Sequence, residues 1–511
     1  MKNQKQIDQK QMSRGVTADE NRFAGERPSN ALGFALAKRG VMSSVNGLAK
    51  SAFCLAALSL SAAVCAQTPP GPPGPPLSPA LQAKLAADSA RMQEIEARAA
   101  RVESINALRN LQGIYGYYFD KAMWDDVADL FTEDGSIELG LNGVYAGKAN
   151  VRKYLYSLTG GKPGLRAGEI MNHFQLSPVV TLSDDGASAK ARWRTIIQAG
   201  VSGKGSGGDW GEGIYENEYV QQNGVWKIRT VHFYTKFFAP YEGGWTRAPK
   251  DSALRYGKST VKPTKPTSVK YQPFPAHFAP PFHYENPVAT SYEFGGPESV
   301  ASIKPDASRV KTVAELEAQV RALELRVERL KGVDDVERLN AQYGYYVDKS
   351  MQDAISALFT ENATLEILGR GVFIGRDRIY EYMRRLGAPQ VGSLFNHMQL
   401  GPVVHVSDDG QSAQIRVRLF VMFGQVDRAA QWGEGIYENT FVKENGVWKY
   451  NNLHGYQTFY TNYEDGWAKK ASGMFAPFPG YPPDAQQSIA YDPYPALFTP
   501  PFHYRNPVTG K

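Results

Sequence analysis

The residues best suited to chemistry in this chain are a tyrosine, an aspartate and a tryptophan at helical spacing, Tyr117, Asp120 and Trp124, and a histidine further on, His173, at the head of an apolar run. Spacings of i, i+3 and i+7 put the first three on one helix face. A carboxylate flanked by aromatic rings is partly desolvated, which raises its pKa unless a hydrogen bond favours the ionised form. His173 can supply that bond. The aspartate then fixes the tautomer, and the second ring nitrogen is left to take or give a proton near neutral pH. The same set returns later as Tyr345, Asp348, Gln352 and His397. The expected catalytic residues are therefore Asp120, His173, Asp348 and His397. Tyr117, Tyr118, Trp124, Tyr345 and Tyr346 are expected to contact a ligand, with Tyr117 or Tyr118 as the donor to an oxyanion. His232 and His454 have the strand parity of Trp226 and Trp448, which predicts a shared face lining the same pocket. Each proposal has a structural rival: an Asp–His pair that ties helix to sheet, or a satisfied core histidine. No histidines are spaced i, i+4, and Gly203 to Gly208 opens no helix, so neither a metal nor a phosphate-bearing cofactor is expected.

The elements that must position these groups occur twice. Tyr115 to Lys121 recurs as Tyr343 to Lys349, Asn172 to Val180 as Asn396 to Val404, Trp210 to Asn217 as Trp432 to Asn439, and Pro280 to Val288 as Pro500 to Val508. The chain is a tandem duplication of a domain-sized unit. Helical periodicity runs from Val102 to Phe131, with a second helix near 149–158. Strand patterns cover 136–141, 173–182, 187–199, 211–221 and 225–238, separated by Ser183-Asp-Asp-Gly186 and Gln222-Asn-Gly224 turns. Helices followed by an antiparallel meander indicate α+β. Each unit is preceded by a heptad pattern: Leu81, Leu85, Met92, Ile95, Ala99 and Val102 in the first, and Leu316, Val320, Leu323, Val327 and Leu330 behind a Thr312–Glu315 capping box in the second. Each is followed by a tail rich in proline and aromatic residues. The predicted boundaries are 1–66 for a leader, 67–100 for a proline-rich spacer and heptad helix, 101–290 for the first domain with its tail, 291–330 for a linker and heptad helix, and 331–511 for the second domain with its tail.

The chain has 511 residues, 42% of them hydrophobic, with 57 Lys and Arg against 51 Asp and Glu. That length and apolar fraction suit more than one folded core. Residues 1–66 carry most of the excess positive charge, and the near-neutral remainder argues against nucleic acid as a partner. Lys50 precedes an uncharged run from Ser51 to Ala63, and Val64-Cys-Ala66 offers a signal-peptidase site before Gln67. Met42 is a plausible true start. The run is too short to span a bilayer, so the expectation is a periplasmic or secreted protein without a membrane span once cleaved. Both cysteines fall inside this leader, which excludes disulfides and thiolate chemistry from the cleaved chain.

The order of these elements resembles the SnoaL-like branch of the nuclear transport factor 2 superfamily, which includes scytalone dehydratase, ketosteroid isomerase and polyketide cyclases. The resemblance rests on Tyr-x-Asp late in the first helix, Leu130-Phe-Thr-Glu-Asp134, Gly143-x-x-x-Gly147, His173 opening a strand and Gly224-Val-Trp-Lys227. It covers residues 101–240 and 330–462. It implies two tandem cones, each a curved sheet around helices with an apolar pocket at the open end. It also implies cofactor-independent acid/base chemistry of the isomerase, cyclase or dehydratase type on an apolar small molecule. Scytalone dehydratase is similar in placing an Asp and a His at the positions of Asp120/Asp348 and His173/His397. This chain departs from it with Phe119 or Val347 before the aspartate. The alternative is a non-catalytic ligand-binding or interaction protein. Domains of this superfamily pair through their sheets, so an internal pseudo-dimer is expected, and a homo-oligomer through the heptad helices.

Overall fold

Ser78 and Pro79 open the first helix, the serine hydroxyl accepting from the Leu81 amide at 3.3 Å and the proline occupying the first turn, where its missing N–H costs nothing. The structure, a computed structural model, describes residues 78–203, 207–285, 305–306, 309–388, 390–471 and 475–511. The leader, its cysteines and the proline-rich spacer lie outside the described residues.

Helix α1 (Pro79–Asp120) joins the heptad segment and the core helix into one rod. Its counterpart in the second half, α5 (Val313–Asp348), starts at the capping box, where Glu315 N donates to Thr312 Oγ1 and Thr312 N donates to Glu315 Oε2. The N-terminal stretches of the two rods pack against each other, Leu85, Met92 and Ala99 against Leu316, Leu323 and Leu330. Every seventh residue faces the partner. Leu81, Ile95, Val102, Val320 and Val327, which the heptads also placed on the seam, remain exposed, so the contact is a single narrow ridge. Arg326 flanks it with a forked bond to Glu103, 2.7 Å at the shorter arm.

After α1 the first half runs α2 (Trp124–Asp129), β1 (Phe131–Leu139), β2 (Val144–Ala146), α3 (Lys148–Leu158), β3 (Glu169–Leu182), β4 (Ser188–Val201), β5 (Gly207–Gln222), β6 (Val225–Pro240) and the short α4 (Ser252–Arg255). The second half repeats this with α6 (Gln352–Ala357), β7 (Phe359–Ile367), β8 (Gly371–Ile374), α7 (Arg376–Arg384), β9 (Ser393–Val406), β10 (Ser412–Gln425), β11 (Ala429–Glu444), β12 (Val447–Asn462) and α8 (Gly466–Lys469). Each half forms one six-stranded sheet, in the orders β2-β1-β6-β5-β4-β3 and β8-β7-β12-β11-β10-β9, antiparallel except for the β1/β6 and β7/β12 pairs. These are two α+β cones.

Bulges curve the sheets, and one of them corrects the sequence reading. On β6 the pairing shifts between Glu218↔Thr230 and Tyr219↔Ile228. One extra residue reverses which face the following side chains occupy. Trp226 and Ile228 therefore face the core, but so do Val231 and Phe233. His232 turns to the opposite side, stacked at 3.9 Å on Tyr234, which packs under the tail beside Tyr271. The equivalent shift between Thr440 and Phe441 does the same to His454, which stacks on Tyr456.

The tails strap the outer sheet faces. The Pro-Pro-Phe-His-Tyr motif is a clasp: His283 meets Glu216 at 2.8 Å and Phe282 lies under the Arg192 guanidinium, while His503 meets Glu438 at 2.7 Å and Phe502 lies under Arg416. The second tail also reaches the first half, where Phe502 packs edge-on to Tyr118 and Asn506 Nδ2 donates to Asp126 O. Among the described residues no helix is long and apolar enough to cross a membrane.

Candidate functional site

Asp120 ends α1 and His173 lies near the start of β3, so helix and edge strand meet at this pair. Asp120 Oδ1 accepts from the His173 backbone N at 2.7 Å and lies 3.1 Å from Nδ1. A carboxylate only accepts, so Nδ1 carries a hydrogen, and Nε2 is hydrogen-bonded to the Tyr256 hydroxyl at 2.6 Å. Tyr256 comes from the segment just after α4. Asp120 Oδ2 is taken as well: Arg418, on β10 of the other half, donates to it and to Glu434. The result is one buried chain, Glu434–Arg418–Asp120–His173–Tyr256, in which both imidazole nitrogens and both Asp120 oxygens have partners.

The interior of this first cone is occupied by rings. Phe119 packs on Trp124 and on His173, Tyr145 stacks on Tyr154 at 4.0 Å, and Phe233 bridges Tyr215 and Tyr256. A void of about 10 Å³ beside Tyr117, Phe174 and Arg418 lies where this half meets the second. Tyr117 donates to Gly401 O of the second half at 2.8 Å, Tyr118 packs against the second tail, and Trp124 donates to Thr159 Oγ1 at 2.7 Å within the core. A separate hollow of about 160 Å³ lies between Asp120, Lys121 and the segment 493–500 of the second tail. Burial lowers the pKa of Lys121 there.

The second cone is different. Its cavity of about 320 Å³ is walled by Tyr343, Val347, Phe423, Tyr437, Phe475 and Phe478, with His397, Arg370 and Glu434 among its polar lining. The halves, aligned position by position, show how the space arose: Phe119 becomes Val347, Trp124 becomes Gln352 and Phe233 becomes Gly455, and the segment that carries Tyr256 is shortened. Val347 and Gly455 both border the cavity. Asp348 Oδ1 accepts from the His397 amide at 2.6 Å, as in the first cone. His397 Nδ1, however, stands 3.9 Å from Asp348 Oδ1 and has no hydrogen-bond partner among the described residues. Burial lowers the His397 pKa to about 3, so the ring is neutral, and burial raises that of Asp348 against the His397 amide bond. Arg194, the counterpart of Arg418, stays on its own sheet at 2.7 Å from Glu212, its side chain 50% exposed. Among the described residues, no arginine forms an ion pair with Asp348.

Of the other residues singled out from sequence, Tyr345 is 72% exposed, and Tyr346 packs against the second core without lining the cavity. His232 and His454 are on the strap side. Burial lowers the pKa of His232 to about 4, and His454 lies 3.4 Å from Glu366. Sequence reasoning passed over Arg418, Tyr256 and Arg370. The signal for Arg370 was available, since it replaces Asn142 at the aligned position. Among the described residues no group of three His, Cys, Asp or Glu side chains is placed to hold a metal ion.

Fold and paired Asp–His sites together define two NTF2-like α+β cones. Residues 100–232 and 328–454, half of the chain, match the SnoaL-like domain family, and the chain belongs to that family. Its solved structural neighbours include a putative scytalone dehydratase from Novosphingobium aromaticivorans DSM 12444 (20% identity, 30% of this chain and 95% of that one, TM-score 0.25). They also include the hexachlorocyclohexane dehydrochlorinase LinA-type3 from Novosphingobium barchaimii LL02 (16%, 27% and 92%, 0.24) and ActVI-ORFA from Streptomyces coelicolor (14%, 24% and 96%, 0.22). No curated protein matches the chain.

Proposed function

We propose that the second cone is the working site, a pocket for an apolar small molecule at which His397 moves a proton without a cofactor, and that the first cone is its structural partner. The observation that carries this is the free Nδ1 of His397 beside a 320 Å³ cavity, against a His173 with both ring nitrogens engaged. That volume is at the lower end of the range for small-molecule sites. Asp348 would orient the ring. A shift of about 1 Å would close the 3.9 Å gap to hydrogen-bond range, and an adjacent carboxylate raises an imidazole pKa toward the working range of a base. Isomerisation, cyclisation and dehydration all begin with such a transfer.

One observation favours a second reading. With a pKa near 3, His397 is a weak base at neutral pH, which suits a carrier that binds its ligand and leaves it unchanged. Deuterium exchange at the α-carbon of bicyclic ketones such as 2-tetralone, followed by NMR with the full chain, separates the two. Catalysis predicts exchange that falls about 10²-fold or more in His397→Asn and is unchanged in His173→Asn. Ketone binding without enzyme-dependent exchange would leave the carrier reading.

We also infer export through the leader, with cleavage before Gln67, which N-terminal sequencing of the protein from its native host tests. The packing of the two halves supports an internal pseudo-dimer, and the exposed valines and leucines of the heptad helices leave a homo-oligomer open to sedimentation analysis.

A further inference from the structure

We propose that the occupant of the second cone carries a carboxylate or another planar oxyanion, and that Arg370 receives it; this rests on the reading of that cone as the working site. Arg370 lies in the turn between β7 and β8 and borders the cavity. Its guanidinium stacks over Phe478 at 4.1 Å and Phe475 at 4.5 Å, and Nη1 donates to the Tyr382 hydroxyl at 2.9 Å. Its Nε–H is buried with no acceptor among the described residues. Among the described residues, no carboxylate forms an ion pair with it.

A guanidinium between two phenyl rings with only a neutral hydroxyl to bond is an expensive arrangement. Burying an unpaired charge or an unsatisfied donor costs stability, and the cost is removed when an anion arrives with acceptors. The other guanidinium on the wall is already paired, Arg385 bonding Glu381 at 2.7 Å, while Glu434 is held through Oε1 by an Arg418 that it shares with Asp120, and its Oε2 has no partner among the described residues. Arg370 is thus the unpaired cation of the cavity lining, and its forked, planar donor set suits a carboxylate better than a spherical ion. The rings of Phe423, Tyr437 and Phe475 set the remaining requirement, an apolar, flat body.

The first cone supplies the control. There the aligned residue is Asn142, whose amide donates to Leu139 O at 2.9 Å and to Tyr256 O at 2.7 Å. In that half the position serves to anchor the ring that fills the cone. The arginine occurs where the space does.

Calorimetric titration of the full chain with 2-naphthoate and with its neutral isostere 2-naphthamide tests this. Hydrogen bonds to a charged group favour the acid by about ten- to hundred-fold in the native protein. Arg370→Gln should bring the two within about threefold, and Arg370→Lys should keep a preference for the acid. Equal affinities in the native protein, or a preference that survives Arg370→Gln, overturn the proposal, and the native ratio decides if that variant does not fold. Binding of the amide alone sinks the anion and leaves the pocket reading intact. Failure of both to bind at millimolar concentration sinks the two together.

Discussion

The two cones share strand order, bulges and the Asp–His contact through the backbone amide, yet one is filled and closed and the other is hollow. The difference comes from a few positions. Phe119, Trp124 and Phe233 fill the first interior where Val347, Gln352 and Gly455 stand in the second, and Tyr256 caps His173 from a segment that the second half shortens. Duplication supplied two copies of one frame, and loss of ring volume separates the scaffold from the candidate site. The lesson concerns where space comes from: a curved sheet defines a cone, but side-chain volume decides whether it has an inside.

Three experiments break or sharpen this contrast. The largest effect is expected at Arg418. Replacing it with methionine strands Asp120 and Glu434 as buried charges and should cost about 3–5 kcal/mol in urea unfolding. The same change at its half-exposed counterpart Arg194 should cost no more than about 1 kcal/mol. Equal costs would mean that the halves are not coupled through this chain of charges. Next, Tyr256→Ala should hollow the first cone, lowering stability by about 3–5 kcal/mol. It should also free His173 Nε2, and phenol should restore part of the lost melting temperature if a true cavity forms.

The smallest effect is a pH slope. The folded-state pKa of His397 lies near 3, below the unfolded value of about 6.5. Its contribution to stability is therefore complete above pH 6.5 and is lost as the pH falls toward 3, by at most about 1.4 kcal/mol per pH unit. His397→Gln should flatten the fall of the melting temperature between pH 6.5 and 4. His232 and His405, both lowered to about 4 by burial, leave a residual slope. An unchanged slope would show that His397 is not buried as described.

Local pattern made the frame legible. The repeat, the capping box at Thr312 and the meander strands follow from periodicity or from aligning the halves, and the approach of Asp120 to His173 is implied by the resemblance to scytalone dehydratase. What escaped was set by contacts distant along the chain. Nothing near Arg418 indicates that it crosses to Asp120, and nothing near Tyr256 points it at His173. The misplacement of His232 has a smaller cause, a bulge at Arg229 that period-two counting cannot register. The hollow in the second cone was written in the sequence, but only as a difference between aligned residues, and it takes volume rather than residue class to read it.

The crossing of the second tail onto the first half sets an order of events during synthesis. Tyr118 is covered by Phe502, Asp126 O is met by Asn506, and Asp120 waits for Arg418. The earlier-made cone therefore emerges from the ribosome with a bare aromatic flank and an unneutralised acid. It cannot reach its final packing before translation has passed residue 500, so the half made first is completed no sooner than the half made second.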